Sequence, residues 1–290
     1  MSDGASGEMD MNSSPTDIAP GPAGGSAAEG DIEALGPPPR ARSIVWLVRL
    51  ISIVVVLGAW EYFGRLVNPL FMSYPTAIGK AAMGLIANGE LLLALTSSIR
   101  TLIVGFVSAS VIGLVIGLLI GRYKMMDAAT DWLVNALYAT PLVAIMPLVI
   151  LWFGLGDMAK LFIVTILALF PVLINTAAGV RNVPAQLIDV SAAFAANERQ
   201  VFTKIILPAT IPYMMTGLRL GIGRAIIGMV VAEFFTAITG LGALIVKYGN
   251  QYDTASMFVP ILVLMLLGVG LTSLVRKAEE AFAPWRGLDD

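Results

Sequence analysis

The sequence predicts an all-α membrane protein with about six membrane-spanning helices. Of its 290 residues, 57% are hydrophobic and only 13% are charged, and its mean hydropathy is +0.84. Soluble domains are about 45–50% apolar and about 25% charged, so this composition argues against a water-soluble core. A helix needs about 20 apolar residues to cross a bilayer. Stretches of about this length run over residues 44–63, 99–121, 133–153, 161–180, 218–237 and 258–275.

Two residue types are missing altogether, because the chain contains no histidine and no cysteine. This excludes Ser-His-Asp and Cys-His catalysis, thiolate metal sites, haem ligation by histidine and disulfides. The net charge of −2 argues against a nucleic-acid partner, which would need a basic surface. We therefore expect no catalytic residue, no cofactor and no metal on this chain.

The chain divides into four predicted segments. Residues 1–39 lack Lys and Arg, are rich in Gly, Pro, Ala and acidic residues, and predict a disordered acidic tail in the cytoplasm. Residues 40–97 hold the first span and a periplasmic interfacial segment, in which the stretch 77–95 predicts a surface helix. Residues 98–277 form the membrane core, and 278–290 form a cytoplasmic tail.

The orientation follows from the lysines and arginines near the ends of the spans. With the N-terminus inside, ten of them fall on the inner face: Arg40, Arg42, Arg122, Lys124, Arg181, Arg199, Lys204, Arg276, Lys277 and Arg286. The outer face receives Arg65, Lys80, Lys160 and Lys247, with Arg100 near the outer end of a span. Both termini are therefore predicted to be cytoplasmic, as an even number of spans requires.

Small residues and prolines mark several spans. Gly113, Gly117 and Gly121 recur at four-residue spacing, which allows close helix approach either within the chain or to another subunit. Pro141 and Pro147 are expected to interrupt the third span, and their freed carbonyls should face protein or water. Such breaks occur along translocation paths and also in purely structural bundles.

Charged residues inside spans are costly and mark functional candidates. The fifth span carries Arg219, Arg224 and Glu233. Arg224 and Glu233 lie on opposite helix faces, so their partners must be on other helices, on another subunit or in water. This span is interpreted as a pathway wall, with structural charge pairing as the alternative. The pathway candidates are Arg100, Pro141, Pro147, Arg224 and Glu233.

The longest inner connection covers residues 181–212. Its mixed apolar and polar pattern predicts one or two short helices beside the membrane, with Pro184 before them and Pro208 closing them. Such helices can pack under the bundle, or they can dock into a groove on a partner.

This connection resembles the EAA loop of bacterial ABC-importer permeases, the binding-protein-dependent transport inner-membrane components. The family pattern is Glu-Ala-Ala, three residues, Gly, nine residues, Ile, one residue and Leu-Pro. With the proline at Pro208, the acidic position falls on Asp189 and the glycine on Ala195. The sequence departs from the pattern at Val190, Ser191 and Ala195. At Ala195 we expect helical or near-helical geometry, since a positive φ would be strained and would suggest weakened coupling.

Further motifs extend the resemblance to the nitrate/sulfonate/taurine-type branch from about residue 75 to about residue 277. They occur in the family's order, at residues 147–156, 212–220, 231–233 and 240–242. The resemblance implies a type I ABC-importer permease fold in the bacterial inner membrane. It also implies a second permease subunit as a homodimer, two cytoplasmic ATPase subunits that bind ATP and Mg, and a periplasmic substrate-binding protein.

The resemblance assigns ATPase coupling to Asp189, Ser191, Phe194, Ala195, Asn197, Glu198, Ile205, Leu207 and Pro208. The chain itself has no G-x-x-x-x-G-K-[ST] phosphate loop, so ATP hydrolysis is expected on a separate subunit. The branch favours small anions such as sulfonates, taurine or nitrate, although relatives also carry heterocyclic vitamin precursors. Two other functions remain open: an ion-gradient-driven secondary transporter and a non-transporting membrane scaffold.

Overall fold

A computed structural model describes residues 39–282 of the chain, with side chains from 45 to 279. The predicted acidic tail lies outside the described residues apart from Pro39, and so do residues 283–290 of the predicted C-terminal tail. The chain divides into two compact units, residues 1–56 and 57–290. The described part of the first unit is the beginning of helix α1 (Pro39–Leu66), whose side chains are exposed from residue 45 to residue 56.

The described part of the second unit is helical throughout, with short connections. After the end of α1 its helices are α2 (Pro75–Ala87), α3 (Glu90–Arg122), α4 (Lys124–Ala139), α5 (Met146–Phe153), α6 (Asp157–Arg181), α7 (Ala185–Ala193), α8 (Glu198–Val201), α9 (Leu207–Thr236), α10 (Leu241–Asn250) and α11 (Thr254–Phe282). A 3₁₀ turn, Leu142–Ile145, precedes α5, and a π-helical turn, Phe202–Ile206, joins α8 to α9.

Four of the described helices are long and apolar enough to cross a membrane singly: Val45–Leu66, Glu90–Arg122, Asp157–Arg181 and Thr254–Glu279. Two further spans are possible where bent helix pairs count as one span each. In one pair α4 meets the helical segment that ends with α5 at 81°, and in the other α9 meets α10 at 45°. The predicted number of about six agrees with this count.

The third predicted span, residues 133–153, is sharply folded at its middle. Proline disfavours helical geometry in the residue before it, and Thr140 accordingly adopts extended φ and ψ of −69° and 133°. The chain therefore turns at Pro141. Pro147 lies in the first turn of α5, where no helical hydrogen bond is lost, so the prediction that it interrupts a helix is wrong.

The predicted surface helix over residues 77–95 is also wrong, because two helices share this stretch. Helix α2 ends at Ala87, and Gly89 takes a positive φ of 77° that glycine adopts without strain. Glu90 then begins α3. Helix α2 buries Ile78 and Leu85 in a cluster with residues of α10 and α11, including Leu244 and Val259.

The centre of the second unit is α6, which packs between α3 and α9. The glycines of α3 face α6: a Cβ placed on Gly117 would lie 2.7 Å from the Leu173 carbonyl oxygen, and one on Gly121 would lie 2.6 Å from Val180 Cβ. Helix α9 approaches the other side in the same way through Gly221, whose added Cβ would lie 2.9 Å from Val172 Cγ2. The glycine spacing therefore serves packing within the chain.

Candidate functional site

Helix α7 presents an apolar face that the chain leaves uncovered. Leu187, Val190 and Phe194 follow one another at helical spacing and are 45%, 53% and 82% exposed. Beside this face, Ser191 is buried and donates a hydrogen bond from Oγ to the Ile188 carbonyl of the same helix at 2.7 Å. Asp189 is exposed. The helix is thus buried at Ser191, and its adjoining apolar face is available to a partner.

A left-handed residue ends α7. Ala195 has φ of 50°, so the expectation of helical geometry there is wrong. The Ala196 amide donates to the Ser191 carbonyl at 3.0 Å, and the Ala195 amide donates to the Ala192 carbonyl at 3.0 Å. These two bonds define a Schellman motif, which requires a left-handed residue at the position of Ala195. The family's glycine suits this geometry, and alanine adopts it at a cost of about 1 kcal/mol.

The next turn is fixed by a reciprocal cap. The Asn197 side chain accepts the Gln200 amide at 2.9 Å, and the Gln200 side chain accepts the Asn197 amide at 2.9 Å. Both bonds satisfy amides at the start of α8. Arg122, at the end of α3, forms a 3.1 Å ion pair with Glu198. The Glu198 side chain is 87% exposed, so this pair contributes little energy.

The prediction that Pro208 closes the short helices is wrong, since helix continues through it. The Leu207 amide bonds to the Phe202 carbonyl five residues back, which defines the π turn, and α9 follows directly. Proline has no amide to donate, and a wider turn just before it accommodates that loss. Pro208 is exposed, Ile205 and Leu207 are half-buried, and Ile206 between them is buried. The coupling candidates therefore run directly into α9.

At the far end of α9, Glu233 holds the start of α10. The side chain is completely buried. One carboxylate oxygen accepts the Ser98 hydroxyl at 2.6 Å, and the other accepts the Gly242 amide at 2.8 Å. Ser98 Oγ in turn accepts the Leu241 amide at 2.8 Å. A carboxylate at a helix N-terminus is favourably placed. Glu233 therefore faces protein and lies away from any open surface of the chain.

A buried lysine beside this network was missed by the sequence analysis. Lys160 is 1% exposed and donates from Nζ to Thr239 Oγ1 at 2.7 Å. Its Nζ also lies 3.6 Å from the Asp157 carboxylate. The distribution of lysines and arginines placed Lys160 on the outer face, near the end of a span. The sequence feature that could have indicated its burial was a lone cation at the start of an apolar run. Its partner Thr239 could not be predicted locally, because it is 79 residues away in sequence.

The arginine candidates separate into paired and unpaired groups. Arg219 forms a 3.2 Å ion pair with Glu279 on α11, so its partner is on another helix. Arg100 and Arg224 are exposed, and neither has an ion pair within residues 45–279. Arg100 lines a cavity of about 330 Å³ between α3 and α6. Pro141 and Pro147 are exposed near the fold between α4 and α5.

The structure does not bring the two sets of candidates together. Pro208 and Glu233 lie near opposite ends of α9, about 38 Å apart at 1.5 Å per residue. The 181–212 segment is therefore one site, and the polar residues near the start of α10 are another. A single continuous helix connects them.

Comparison with known proteins identifies the family. The model of the family described as "Binding-protein-dependent transport system inner membrane component" matches residues 109–282. A Bacillus subtilis (strain 168) protein named for aliphatic sulfonates transport, the permease protein SsuC, is 33% identical over 91% of this chain and 96% of its own. This chain belongs to that family. It is an ABC importer permease subunit and therefore a multi-pass membrane protein.

Relatives of the permease are named for different transported solutes. The nitrate import permease protein NrtB of Leptolyngbya laminosa is 29% identical over 78% of this chain and 83% of its own. A permease chain of the inward-facing MetNI methionine ABC transporter superposes with a TM-score of 0.56 at 20% identity, covering 66% of this chain and 95% of that one. The predicted type I importer fold is confirmed.

Proposed function

We propose that this permease forms half of a translocation pathway for a small anion, such as a sulfonate or nitrate, in the bacterial inner membrane. A second copy of the chain supplies the other half. Two separate ATPase subunits bind ATP and Mg²⁺ below, and a periplasmic binding protein delivers the substrate. The chain itself carries no phosphate-loop motif, which supports the separation of transport from ATP hydrolysis.

The observation that carries this proposal is the uncovered apolar face of α7. Leu187, Val190 and Phe194 form a short helical ridge of the kind that fits an apolar groove on a partner. The Schellman turn and the Asn197 cap fix the backbone that follows this ridge, and Ser191 beside the ridge is buried. An exposed ridge with a defined connection to α9 is suited to transmit the movement of a docked ATPase.

Helix α9 provides the connection from this ridge to the membrane. Because helix runs from Glu198 to Thr236, a displacement at α8 is passed along α9 to the bend at α10. In the proposed cycle, ATP binding closes the ATPase pair and shifts the bundle between inward-facing and outward-facing states. Nucleotide binding energy thereby changes a two-state equilibrium.

Two unpaired arginines support an anionic substrate. A charge inside a span is costly unless it faces water, a partner or a ligand. Arg224 lies near the middle of α9 on an exposed side between Leu220 and Ile227, and Arg100 is exposed on α3. The sulfonate and nitrate transport named in two relatives is compatible with these cations.

The test uses the assembled complex in lipid vesicles and compares two matched substitutions. Phe194→Glu puts a charge on the α7 ridge, whereas Phe71→Glu does the same at an equally exposed phenylalanine in the connection before α2. The two side chains are 82% and 81% exposed, so neither substitution disturbs a core. We expect Phe194→Glu to reduce ATP-dependent uptake at least about tenfold while the chain still folds, and Phe71→Glu to leave uptake nearly unchanged.

Three results would contradict the proposal in different ways. Unchanged uptake in Phe194→Glu would remove the coupling role of α7. Uptake that continues without any ATPase subunit would indicate a transporter driven by an ion gradient. Stable ATPase binding with no transport of any tested solute would indicate a membrane scaffold.

A further inference from the structure

We propose that the cavity around Arg100 is a binding subsite for a small oxyanion, with the Arg100 guanidinium as the main anion contact. That the bound anion is the transported substrate rests on the proposed function. The existence of the site does not, because it follows from the geometry and charge of α3 and α6.

The cavity has the size and the lining that a small anion needs. Its volume is about 330 Å³, near the lower end of the range of roughly 300–1,000 Å³ typical of small-molecule pockets. Its polar lining comes from Thr96, Ser97, Arg100, Thr101 and Asp157, and three aliphatic side chains complete it. The guanidinium and the Thr101 hydroxyl can both donate to one group of oxygen atoms, whereas the Thr96 hydroxyl donates to the Leu93 carbonyl at 3.0 Å.

Arg100 is a cation without a partner at this site. The neighbouring Lys160 contacts Thr239 and lies 3.6 Å from Asp157, and Glu233 is satisfied by Ser98 and the Gly242 amide. Arg100 makes no ion pair and no side-chain hydrogen bond in the part of the chain with described side chains. A planar guanidinium binds oxyanions through paired hydrogen bonds, so an oxyanion would supply the partner that Arg100 lacks.

A second, independent feature points into the same cavity. Thr101 is only 5% exposed, lines the cavity, and makes no side-chain hydrogen bond with any other residue whose side chain is described. Buried hydroxyls in helices usually bond to the carbonyl four residues back, as Thr176 and Thr210 do here. The Thr101 hydroxyl is therefore a donor available to a ligand, directly beside Arg100.

An anion bound at this subsite can affect the bend between α9 and α10. The Ser97 hydroxyl, which lines the cavity, lies 3.2 Å from Thr239 Oγ1. Thr239 also receives Lys160 and stands immediately before Gly240 at the start of α10. An anion that hydrogen-bonds to Ser97 thus alters the polar residues that position the helix held by Glu233.

Because this chain has no native cysteine, labelling of the permease subunit can be followed directly in the assembled complex. A single cysteine is introduced by Val104→Cys, in the cavity lining, or by Met83→Cys, a 65% exposed control on α2. Each variant is labelled in detergent with two reagents that share the methanethiosulfonate group and differ in charge: anionic sulfonatoethyl methanethiosulfonate and cationic trimethylammonioethyl methanethiosulfonate. Sodium nitrate and sodium ethanesulfonate serve as competing anions, and dimethyl sulfone serves as the neutral control.

The measured quantity is the labelling rate with the anionic reagent divided by the rate with the cationic reagent. We expect this ratio to be at least about fivefold higher for Val104→Cys than for Met83→Cys. Adding Arg100→Gln should abolish this preference, and adding Asp157→Asn should increase it. Nitrate or ethanesulfonate should slow the labelling of Val104→Cys, whereas dimethyl sulfone should not. Thr101→Val should weaken protection by the anions while leaving the charge preference in place.

Equal labelling of the two cysteines by the two reagents, or a preference that survives Arg100→Gln, overturns the subsite. Protection by dimethyl sulfone as strong as that by nitrate also overturns it. The labelling requires no transport, so its outcome is separable from that of the Phe194→Glu experiment. A complex that binds anions at Arg100 but transports none would retain the subsite and lose the proposed function.

Discussion

The carboxylate of Glu233 accepts the backbone amide of Gly242 at 2.8 Å, across the 45° bend between α9 and α10. The two groups are nine positions apart in sequence, and Gly240 turns the chain back so that they meet. The acid at the end of one helix therefore caps the next. This relationship explains why a buried acid and the Gly240-Leu241-Gly242 sequence occur together.

Removing the Glu233 carboxylate should destabilise the permease. Glu233→Ala leaves the Gly242 amide and the Ser98 hydroxyl buried without an acceptor, so we expect a loss of about 2–4 kcal/mol in the free energy of unfolding. Glu233→Gln retains one acceptor oxygen and should lose less. Unfolding in mixed detergent micelles measures both. Ile238→Ala, at an exposed residue of the same bend, is the control, and equal losses in all three variants would refute the capping role.

Gly240 should tolerate no side chain. Its φ is 107°, and an added Cβ would lie 2.1 Å from a Glu233 carboxylate oxygen. We expect Gly240→Ala to lower the free energy of unfolding by about 3 kcal/mol or more. The matched change Gly79→Ala, in α2 with open space around it, should instead stabilise the helix by up to about 1 kcal/mol. The same micelle titration compares them, and a mild effect of Gly240→Ala would contradict the geometry of the bend.

Ala195→Gly should stabilise the permease, because glycine adopts a positive φ without strain. We expect a gain of about 1 kcal/mol in the free energy of unfolding. Ala192→Gly, three residues earlier and within α7, should have the opposite sign and cost up to about 1 kcal/mol. If both substitutions destabilise equally, Ala195 is not left-handed in the folded protein. Measuring uptake per ATP hydrolysed in Ala195→Gly shows in addition whether the relaxed turn improves coupling.

Loss of the Asn197 cap should loosen α8 locally. Asn197→Ala removes the acceptor of the Gln200 amide, which costs about 1 kcal/mol. Hydrogen exchange at Gln200 should then accelerate about fivefold, since 1.4 kcal/mol corresponds to a tenfold change. Asn182→Ala, at an exposed asparagine near the start of the same segment, is the control and should leave this exchange rate unchanged. Exchange at Gln200 that is insensitive to Asn197→Ala would contradict the cap.

Sequence reasoning predicted the features that depend on local pattern. Span lengths follow from runs of apolar residues. The spacing of Gly113, Gly117 and Gly121 predicted close approach of another helix, and the structure identifies that helix as α6. The separation of Arg224 from Glu233 follows from helix geometry alone. The inner segment with its coupling candidates was placed by motif resemblance, and their docking remains a prediction.

The features that were missed depend on contacts distant in sequence or on single backbone angles. Lys160 is buried because Thr239, on a remote connection, accepts its ammonium group. Ala195 is left-handed because two terminal hydrogen bonds of α7 require it, and composition does not reveal a Schellman turn when the glycine is absent. Pro208 continues a helix because a π turn precedes it, whereas proline alone suggests an end.

The absence of space between α6 and its two neighbours limits how this protein can move. A methyl group added at Gly117 or at Gly221 would overlap α6, so the three helices have no free space along these contacts. Sliding one past another would force backbone into side chain. We therefore expect α3, α6 and α9 to tilt together as one rigid body during a transport cycle. Bending is then confined to the turn at Pro141 and to the connections outside these three helices.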